Sequence, residues 1–400
     1  MKKLIVASLL ILIITFSLAS FTSSGKMFLM GNPNQALAQP LHPDLAIASN
    51  TPTPTAPANN PQGLGPDSFP AGINPLTGLP VIDPNLLKLP PALVSVANFP
   101  VSARPQAGLS FSPFVFEMYI GEGMTRFLAM FYGEFPSANN DSNQGSMTTL
   151  DSSQIGPIRS GRLPYESVRK LYNGFLVMAS AYRAVSAQLG SATNIYGSDS
   201  DDINSALIDV SKLEAIAQAA AKTKNSFNLT GNQYSEVVPE GGKKADRLWV
   251  FYNYLNQVDW QYDPTKGVYL RSQDNADGSG KFTPSTDRLT GEQLAFDNVI
   301  VLYAKHNVLN RAGTLIDVEL LYTGNKGFLF RDDKVYPIYW STLNGDYEKT
   351  TGLMRPIRFT DRDGKPISLK PGNTFVEIVH TTASLQEIQP GSWKARFYAP

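Results

Sequence analysis

The first half of the folded chain interleaves continuous apolar runs with helical patterns. Helices are predicted over 164–171, which opens with proline, and over 211–222, which is rich in alanine. Mixed helices and strands are typical of an α/β or α+β domain, which we place at residues 73–232. Strands are predicted at the apolar runs bounded by turn residues: 92–98, 114–119, 125–131 and 175–180.

Strand patterns dominate the second half. Short segments rich in Val, Ile, Phe, Tyr and Thr alternate with Gly- and Asp-containing turns. Asp363 and Gly364 stand between two such segments and predict a hairpin. We therefore place a mainly β domain at 248–388. The polar, glycine-containing segment 231–247 is a poor composition for a buried element, so two separate cores that share an interface are expected.

Residues 1–38 have the pattern of an export signal. Two lysines precede an apolar run over 4–18, the size of a signal-peptide core, and the segment is either cleaved or kept as a membrane anchor. Residues 39–72 alternate Pro with Thr at their centre and predict an extended linker. We therefore expect a folded body that begins near Ile73 and lies outside the cytoplasm, secreted or anchored at the cell envelope.

Composition narrows the function classes. The 400 residues carry 34 basic and 34 acidic side chains, a balance that argues against a general nucleic-acid binder. The chain has no cysteine, which excludes disulfides, thiol catalysis and cysteine-ligated metals. Its three histidines are too widely spaced to suggest a metal cluster. We expect no metal and no cofactor.

Charged residues are only 17% of the chain, yet several stand in apolar context at strand ends and Gly- or Pro-containing turns. Such turns often carry binding sites, and arginine recognises carboxylate and phosphate groups bidentately. We expect the four arginines of this set to converge on one site with surplus positive charge. A structural ion network between the arginines and glutamates is the open alternative. The candidate residues are Arg104, Glu117, Glu122, Arg126, Arg159 and Arg162.

A stretch dense in aromatic residues opens the second half. Aromatic platforms stack on sugar rings, but aromatic side chains are also favoured in strands and cores. We interpret the stretch as core. Its members are Trp249, Tyr252, Tyr254, Trp260 and Tyr262.

Hydrolase signatures are incomplete. Ser167 and Lys170 have the S-x-x-K spacing of penicillin-interacting enzymes, but the accompanying K-T-G element is missing, and no G-x-S-x-G elbow occurs. Glu117 and Glu122 could serve as an acid/base pair for glycoside chemistry if both faced one cleft about 5–10 Å apart.

Four motifs occur in a fixed order: NPLTG from Asn74, ARPQAGL from Ala103, EGMTRF from Glu122 and IGPIRSGR from Ile155. Together they resemble the YerB-like family of bacterial lipoproteins, whose two domains have no assigned function. The family usually carries a lipidated cysteine where this chain has Phe21. The resemblance implies a two-domain envelope protein and brings no reaction, so no catalytic residue is carried over.

The sequence therefore predicts an exported envelope protein that binds a wall component or a partner protein without catalysis. The alternative is a hydrolase or transferase that acts on cell-wall polymer. The expected partner is an anionic cell-wall polymer or an envelope protein, with no nucleic acid and with membrane contact only through the N-terminal segment.

Overall fold

The computed structural model describes residues 63–135, 154–190, 192–194, 208–223, 227–343 and 345–400. The predicted export signal at 1–38 lies outside the described residues. The α-helices are α1 (Pro164–Leu171), α2 (Arg183–Ser186), α3 (Val210–Ala221) and α4 (Asp346–Thr351). The strands are β1 (Ala92–Ala97), β2 (Phe114–Gly121), β3 (Met124–Phe131), β4 (Gln154–Ile155), β5 (Phe175–Met178), β6 (Ala192–Asn194), β7 (Ile208–Asp209), β8 (Gln233–Tyr234), β9 (Lys243–Lys244), β10 (Arg247–Asn253), β11 (Asn256–Asp263), β12 (Val268–Asp274), β13 (Phe282–Pro284), β14 (Ala295–Phe296), β15 (Asn298–Ala304), β16 (His306–Val308), β17 (Ile316–Val318), β18 (Asn325–Arg331), β19 (Lys334–Ser341), β20 (Arg358–Thr360), β21 (Ser368–Leu369), β22 (Thr374–His380), β23 (Ser384–Gln389) and β24 (Ser392–Arg396).

One large sheet joins the two halves of the chain. Its order is β20-β19-β18-β15-β22-β2-β3-β1-β5-β6, with β9 paired to β19. The joint is the parallel pair β2 and β22, in which Phe114 lies opposite Thr374 and Glu117 opposite Glu377. The expectation of two separate cores is therefore wrong, because a late strand completes the sheet that the first half begins. The domain boundaries themselves stay a prediction.

A second sheet of seven strands covers one face of the large sheet. Its order is β13-β12-β11-β10-β24-β23, with β14 paired to β12. Every second residue of β10 is buried, as expected for a strand with one face in a core and one in solvent. Val115, Phe375 and Trp260 belong to the core between the sheets. Tyr165 and Leu171 of α1 pack on the opposite face of the large sheet, which gives three layers.

The folded body begins before Ile73. The Leu64 amide donates a 2.7 Å hydrogen bond to the Tyr234 carbonyl, and the Gly231 amide donates to the Pro66 carbonyl. Leu64 also packs against the core below α1. The last ten residues of the predicted linker, 63–72, are thus part of the folded body. Their few apolar residues pack against the core, and this contact cannot be predicted from the composition of the segment.

The structure confirms the predicted fold class, a mixed first domain followed by a mainly β second domain. Helices α1 and α3 match the two predicted helices to within one residue at each end. Across the described residues, no helix is long and apolar enough to span a membrane.

Candidate functional site

Three of the four predicted arginines line one cavity of about 390 Å³. Arg126 is 6% exposed, whereas Arg159 and Arg162 are half-buried and Glu122 is exposed. Among the described residues, the cavity lining thus combines three guanidinium groups and one carboxylate with apolar side chains. Its lining is Phe99, Pro100, Ile120, Glu122, Met124, Arg126, Arg159, Arg162 and Thr314.

Backbone hydrogen bonds fix the segment that carries Arg159 and Arg162. The Arg159 amide donates to the Ser95 carbonyl in β1, and the Ala179 amide just after β5 donates to the Arg159 carbonyl. Arg126, on β3, donates from Nη1 to the Ser160 carbonyl at 2.9 Å. The three arginines come from two distant segments, and the strand order β3-β1-β5 brings them together.

A tight turn between β2 and β3 places Glu122 at the cavity. Glu122 and Gly123 both have positive φ, 53° and 78°, as a two-residue hairpin turn of type I′ requires. A Cβ on Gly123 would lie 1.5 Å from Asn253 Nδ2, so glycine is needed there. Glu122 is a non-glycine residue in the left-handed region, an unfavourable conformation that is concentrated at functional sites.

The field of these arginines reaches the core beneath the cavity. Burial raises the pKa of the Tyr165 hydroxyl, and the positive charges of Arg126 and Arg162 act in the opposite direction. Tyr165 is completely buried in α1, on the far side of the large sheet from the second sheet. Two guanidinium groups of the cavity therefore lie close enough to influence one buried hydroxyl.

Arg104 lies elsewhere. It donates from Nη1 to the Asp274 carbonyl at 2.8 Å and from Nε to the Asn98 carbonyl at 3.2 Å. It lines a different cavity, of about 310 Å³, with Gln106 and Asp274. Burial, and then the positive charge of Arg271, lower its pKa to about 10. The structure does not bring Arg104 to the cavity of the other three arginines.

Glu117 is also elsewhere, fully buried between the two sheets. Its Oε2 accepts a 2.8 Å hydrogen bond from Arg271 Nη2, and its Oε1 accepts from Thr125 Oγ1 at 2.6 Å and from Asn98 Nδ2 at 3.2 Å. Glu117 and Glu122 therefore do not face one cleft, and the geometry proposed for a carboxylate acid/base pair is not formed.

A second buried carboxylate adjoins this ion pair. Glu377 lies opposite Glu117 on the neighbouring strand. Its oxygens accept hydrogen bonds from Tyr252 Oη at 2.8 Å and Trp260 Nε1 at 2.9 Å. Burial, and then the negative charge of Glu117, raise the pKa of Glu377 to about 8. One arginine thus balances one carboxylate, and the second carboxyl holds its proton at neutral pH.

Arg271 and Glu377 are functional candidates that the sequence pattern does not reveal. Arg271 sits on β12, whose residues alternate between buried and half-buried, and nothing local marks an inward-facing arginine. Its guanidinium carbon lies 5.2 Å from the centre of the Phe127 ring and 5.4 Å from that of Phe375. The available signal was a charged residue within each of two strand-like segments. The partners of such residues become known only from the way the strands are arranged in the fold.

In the described part of the chain, no three His, Cys, Asp or Glu side chains lie close enough together to hold a metal ion. His306 and His380 are neighbours, with ring centres 5.6 Å apart, but Phe397 packs against His306 at the same distance. Burial lowers the pKa of His306 to about 4, so the ring is neutral. This histidine pair belongs to an aromatic cluster.

Comparison with known proteins identifies the family. The model "Protein of unknown function (DUF3048) N-terminal domain" matches residues 76–227, and "Protein of unknown function (DUF3048) C-terminal domain" matches residues 248–376. A relative from Bacillus subtilis (strain 168), "Putative lipoprotein YerB", is 29% identical over 321 residues, which are 76% of this chain and 85% of the relative.

A crystal structure of YerB from Bacillus subtilis gives the same result. It is similar to this chain with a TM-score of 0.57 and 26% sequence identity, and the match covers 76% of this chain and 96% of that one. The resemblance that the four motifs carry is thereby confirmed. The chain belongs to the DUF3048 family, the YerB-like proteins.

Proposed function

We propose that this protein is a non-catalytic binder in the cell envelope that holds an anionic group in the cavity of Arg126, Arg159 and Arg162. The observation that carries the proposal is the convergence of these three side chains on one cavity of about 390 Å³. Guanidinium groups recognise phosphate and carboxylate bidentately, and cavities of this size accept small ligands. Cell-wall polymers supply such groups in abundance.

The kind of side chain at the cavity supports an anion. Its lining includes three guanidinium groups, the side chain with which proteins recognise phosphate and carboxylate, together with the exposed Glu122. The apolar lining residues, among them Phe99 and Ile120, lower the local polarity and so strengthen the attraction for an anion. The strained φ of Glu122 adds a second argument, since Asn or Gly would occupy that turn at lower cost.

The enzymatic alternative has less support. Its acid/base pair needs two carboxyl groups in one open cleft, whereas Glu117 is fully buried and bonded to Arg271. Among the described residues that line the arginine cavity, Glu122 is the accessible carboxylate. A binding protein needs no second carboxylate, so the side chains that line this cavity are consistent with binding.

An envelope location forms part of the proposal. The apolar run at 4–18 after two lysines has the pattern of an export signal, and a relative is named as a lipoprotein. We expect the protein in the membrane or extracytoplasmic fraction when producing cells are fractionated. A predominantly cytosolic pool would contradict this part of the proposal.

Replacing Arg159 or Arg162 by glutamine tests the cavity. Each change removes one guanidinium while leaving a polar side chain, so we expect pyrophosphate or citrate to bind at least tenfold more weakly. The melting temperature should stay within about 2 °C, because both side chains are half-buried and near the surface. Isothermal titration calorimetry and thermal melts give the two readouts. Arg183→Gln, at an exposed arginine of α2, is the matched control.

The two readouts separate the interpretations. Lost binding with a preserved melt supports the anion site. A large drop in melting temperature from each change assigns the arginines to a structural ion network. Unchanged binding and an unchanged melt show an ordinary surface, and the proposal then fails.

Replacing Glu122 by asparagine should strengthen binding. The change removes a carboxylate that lines the cavity, and the expected gain in affinity for pyrophosphate is roughly two- to fivefold. The melting temperature should not fall, since asparagine tolerates positive φ better than glutamate. Glu134→Asn, at another exposed glutamate, is the control. Weaker binding by Glu122→Asn would show that the carboxylate itself contacts the ligand.

A further inference from the structure

The outer face of the seven-stranded sheet carries aromatic and cationic side chains in alternation. Outward-facing positions of β10 hold Trp249 and Phe251, and the same face of β24 holds Lys394 and Arg396. Trp249 lies opposite Lys394 in the register, and Phe251 lies opposite Arg396. The buried residues between them, such as Tyr252, face the core, so strand alternation divides the aromatic stretch between core and surface.

The aromatic rings and cations are in contact. Lys394 Nζ lies 3.5 Å from the Trp249 ring centre and 4.9 Å from that of Phe251. The guanidinium carbon of Arg396 lies 5.6 Å from the Phe251 ring centre. Cations in these positions are held over the rings by cation–π attraction and remain charged. The sheet thus presents two neighbouring positive charges that the aromatic rings hold in position before any ligand binds.

No carboxylate of the described residues forms an ion pair with these two charges. Within the described residues, neither Lys394 nor Arg396 forms an ion pair, whereas Arg247 on the same face is paired with Asp259. Burial, and then the positive charge of Arg396, lower the pKa of Lys394. Two like charges held side by side without a carboxylate favour an anionic ligand.

The face is also a groove with an exposed aromatic wall. Its volume is about 480 Å³. Tyr254, in the turn after β10, is 77% exposed and packs edge-on against Phe251 with ring centres 5.4 Å apart. Phe282 lines the groove from the β13 side. Apolar ring surface beside unpaired cations matches a sugar ring that carries an acidic substituent.

We propose that this groove binds the acidic sugar units of an anionic polysaccharide, with Tyr254 stacked on a sugar ring and Lys394 and Arg396 on its carboxylate. The site is formed by the second sheet and shares no lining residue with the arginine cavity. It goes beyond the proposed function, because it adds recognition of the sugar itself to recognition of an anionic group.

Three polymers distinguish sugar recognition from charge alone. Polygalacturonate has sugar rings and carboxylates, dextran has uncharged sugar rings, and inorganic polyphosphate has charge without sugar. To keep the arginine cavity from contributing phosphate binding, the comparison uses the full-length variant that carries both Arg159→Gln and Arg162→Gln. We expect it to bind polygalacturonate at least tenfold more tightly than either of the others, measured by biolayer interferometry at fixed ionic strength. Equal binding of polyphosphate would show a merely positive surface and would overturn the proposal, as would failure to bind polygalacturonate.

Single substitutions locate the binding. Tyr254→Ala and Lys394→Gln should each weaken polygalacturonate binding at least fivefold with an unchanged melting temperature, since both side chains lie at the surface. Tyr339→Ala, at a half-exposed tyrosine of β19, and Lys326→Gln, at a lysine over the Tyr303 ring, are matched controls. Controls as damaging as the groove variants would refute the assignment.

The groove and the arginine cavity can fail independently. A variant carrying both Arg159→Gln and Arg162→Gln should bind polygalacturonate normally and pyrophosphate weakly. The Lys394→Gln variant should show the reverse. Loss of polygalacturonate binding in the double variant would place the polymer in the arginine cavity and overturn the groove proposal.

Discussion

Replacing Arg271 by methionine is expected to lower the free energy of unfolding by about 3–5 kcal/mol. Arg271 is 1% exposed and donates a 2.8 Å hydrogen bond to Glu117, which is completely buried. Methionine fills much of the volume and removes the charge, so a carboxylate is left without its counterion between two sheets. Urea denaturation followed by tryptophan fluorescence measures the change.

A double-variant cycle shows that the loss comes from the pair. Arg271→Met combined with Glu117→Gln leaves no charge uncompensated at that position, so we expect it to recover most of the lost stability. Lys244→Met removes the cation of exposed ion pairs with Asp246 and Asp333 and should cost about 1 kcal/mol or less. If Arg271→Met costs no more than Lys244→Met, the buried network does not stabilise the fold.

Individual helices and strands could be predicted from the local sequence pattern, but the way the strands assemble into sheets could not. The apolar run that became β1 and the proline-led segment that became α1 carry their own signals in sequence. Nothing near Thr374 indicates that β22 inserts between β15 and β2, because this pairing joins residues more than 250 positions apart. The chain therefore reads as two domains although one sheet runs through both.

The candidate site divides in the same way. Arg126, Arg159 and Arg162 stand at turns whose strands are neighbours in one half, and the sequence could place them together. Arg104 and Glu117 face the second sheet, so their partners, Asp274 and Arg271, come from the other half of the chain. Sequence spacing identified the charges that needed partners and could not name them.

The aromatic stretch contributes side chains both to the core and to the outer face, and in β10 the two kinds alternate. Tyr252 is buried and bonded to Glu377, whereas Trp249 is half-buried on the outer face. Composition alone does not distinguish these two aromatic residues. Because side chains alternate between the two faces of β10, one residue faces the core and the other faces outward. Which one is buried can be predicted only when it is known which face of the sheet is covered.

Stability should fall as pH rises from about 4.5 to about 8, and Glu377→Gln should remove this part of the pH dependence. Burial and the charge of Glu117 raise the pKa of Glu377 from 4.5 to about 8 in the folded protein. Between these values the folded protein keeps a proton that the unfolded chain has released. The folded state is thus favoured less at each higher pH, by up to about 1.4 kcal/mol per unit.

The expected measurement is the difference in unfolding free energy between wild type and Glu377→Gln at several pH values from 5 to 9. Wild type should lose stability relative to the variant, on the order of a few kcal/mol in total, with little further relative loss above pH 8. Other shifted groups, such as His306 and Asp297, are present in both proteins and cancel in the difference. Glu240→Gln, at an exposed glutamate, should parallel wild type. Parallel curves for wild type and Glu377→Gln would mean that Glu377 has the same pKa in the folded and unfolded protein. That result would refute the conclusion that this buried carboxyl is protonated at neutral pH.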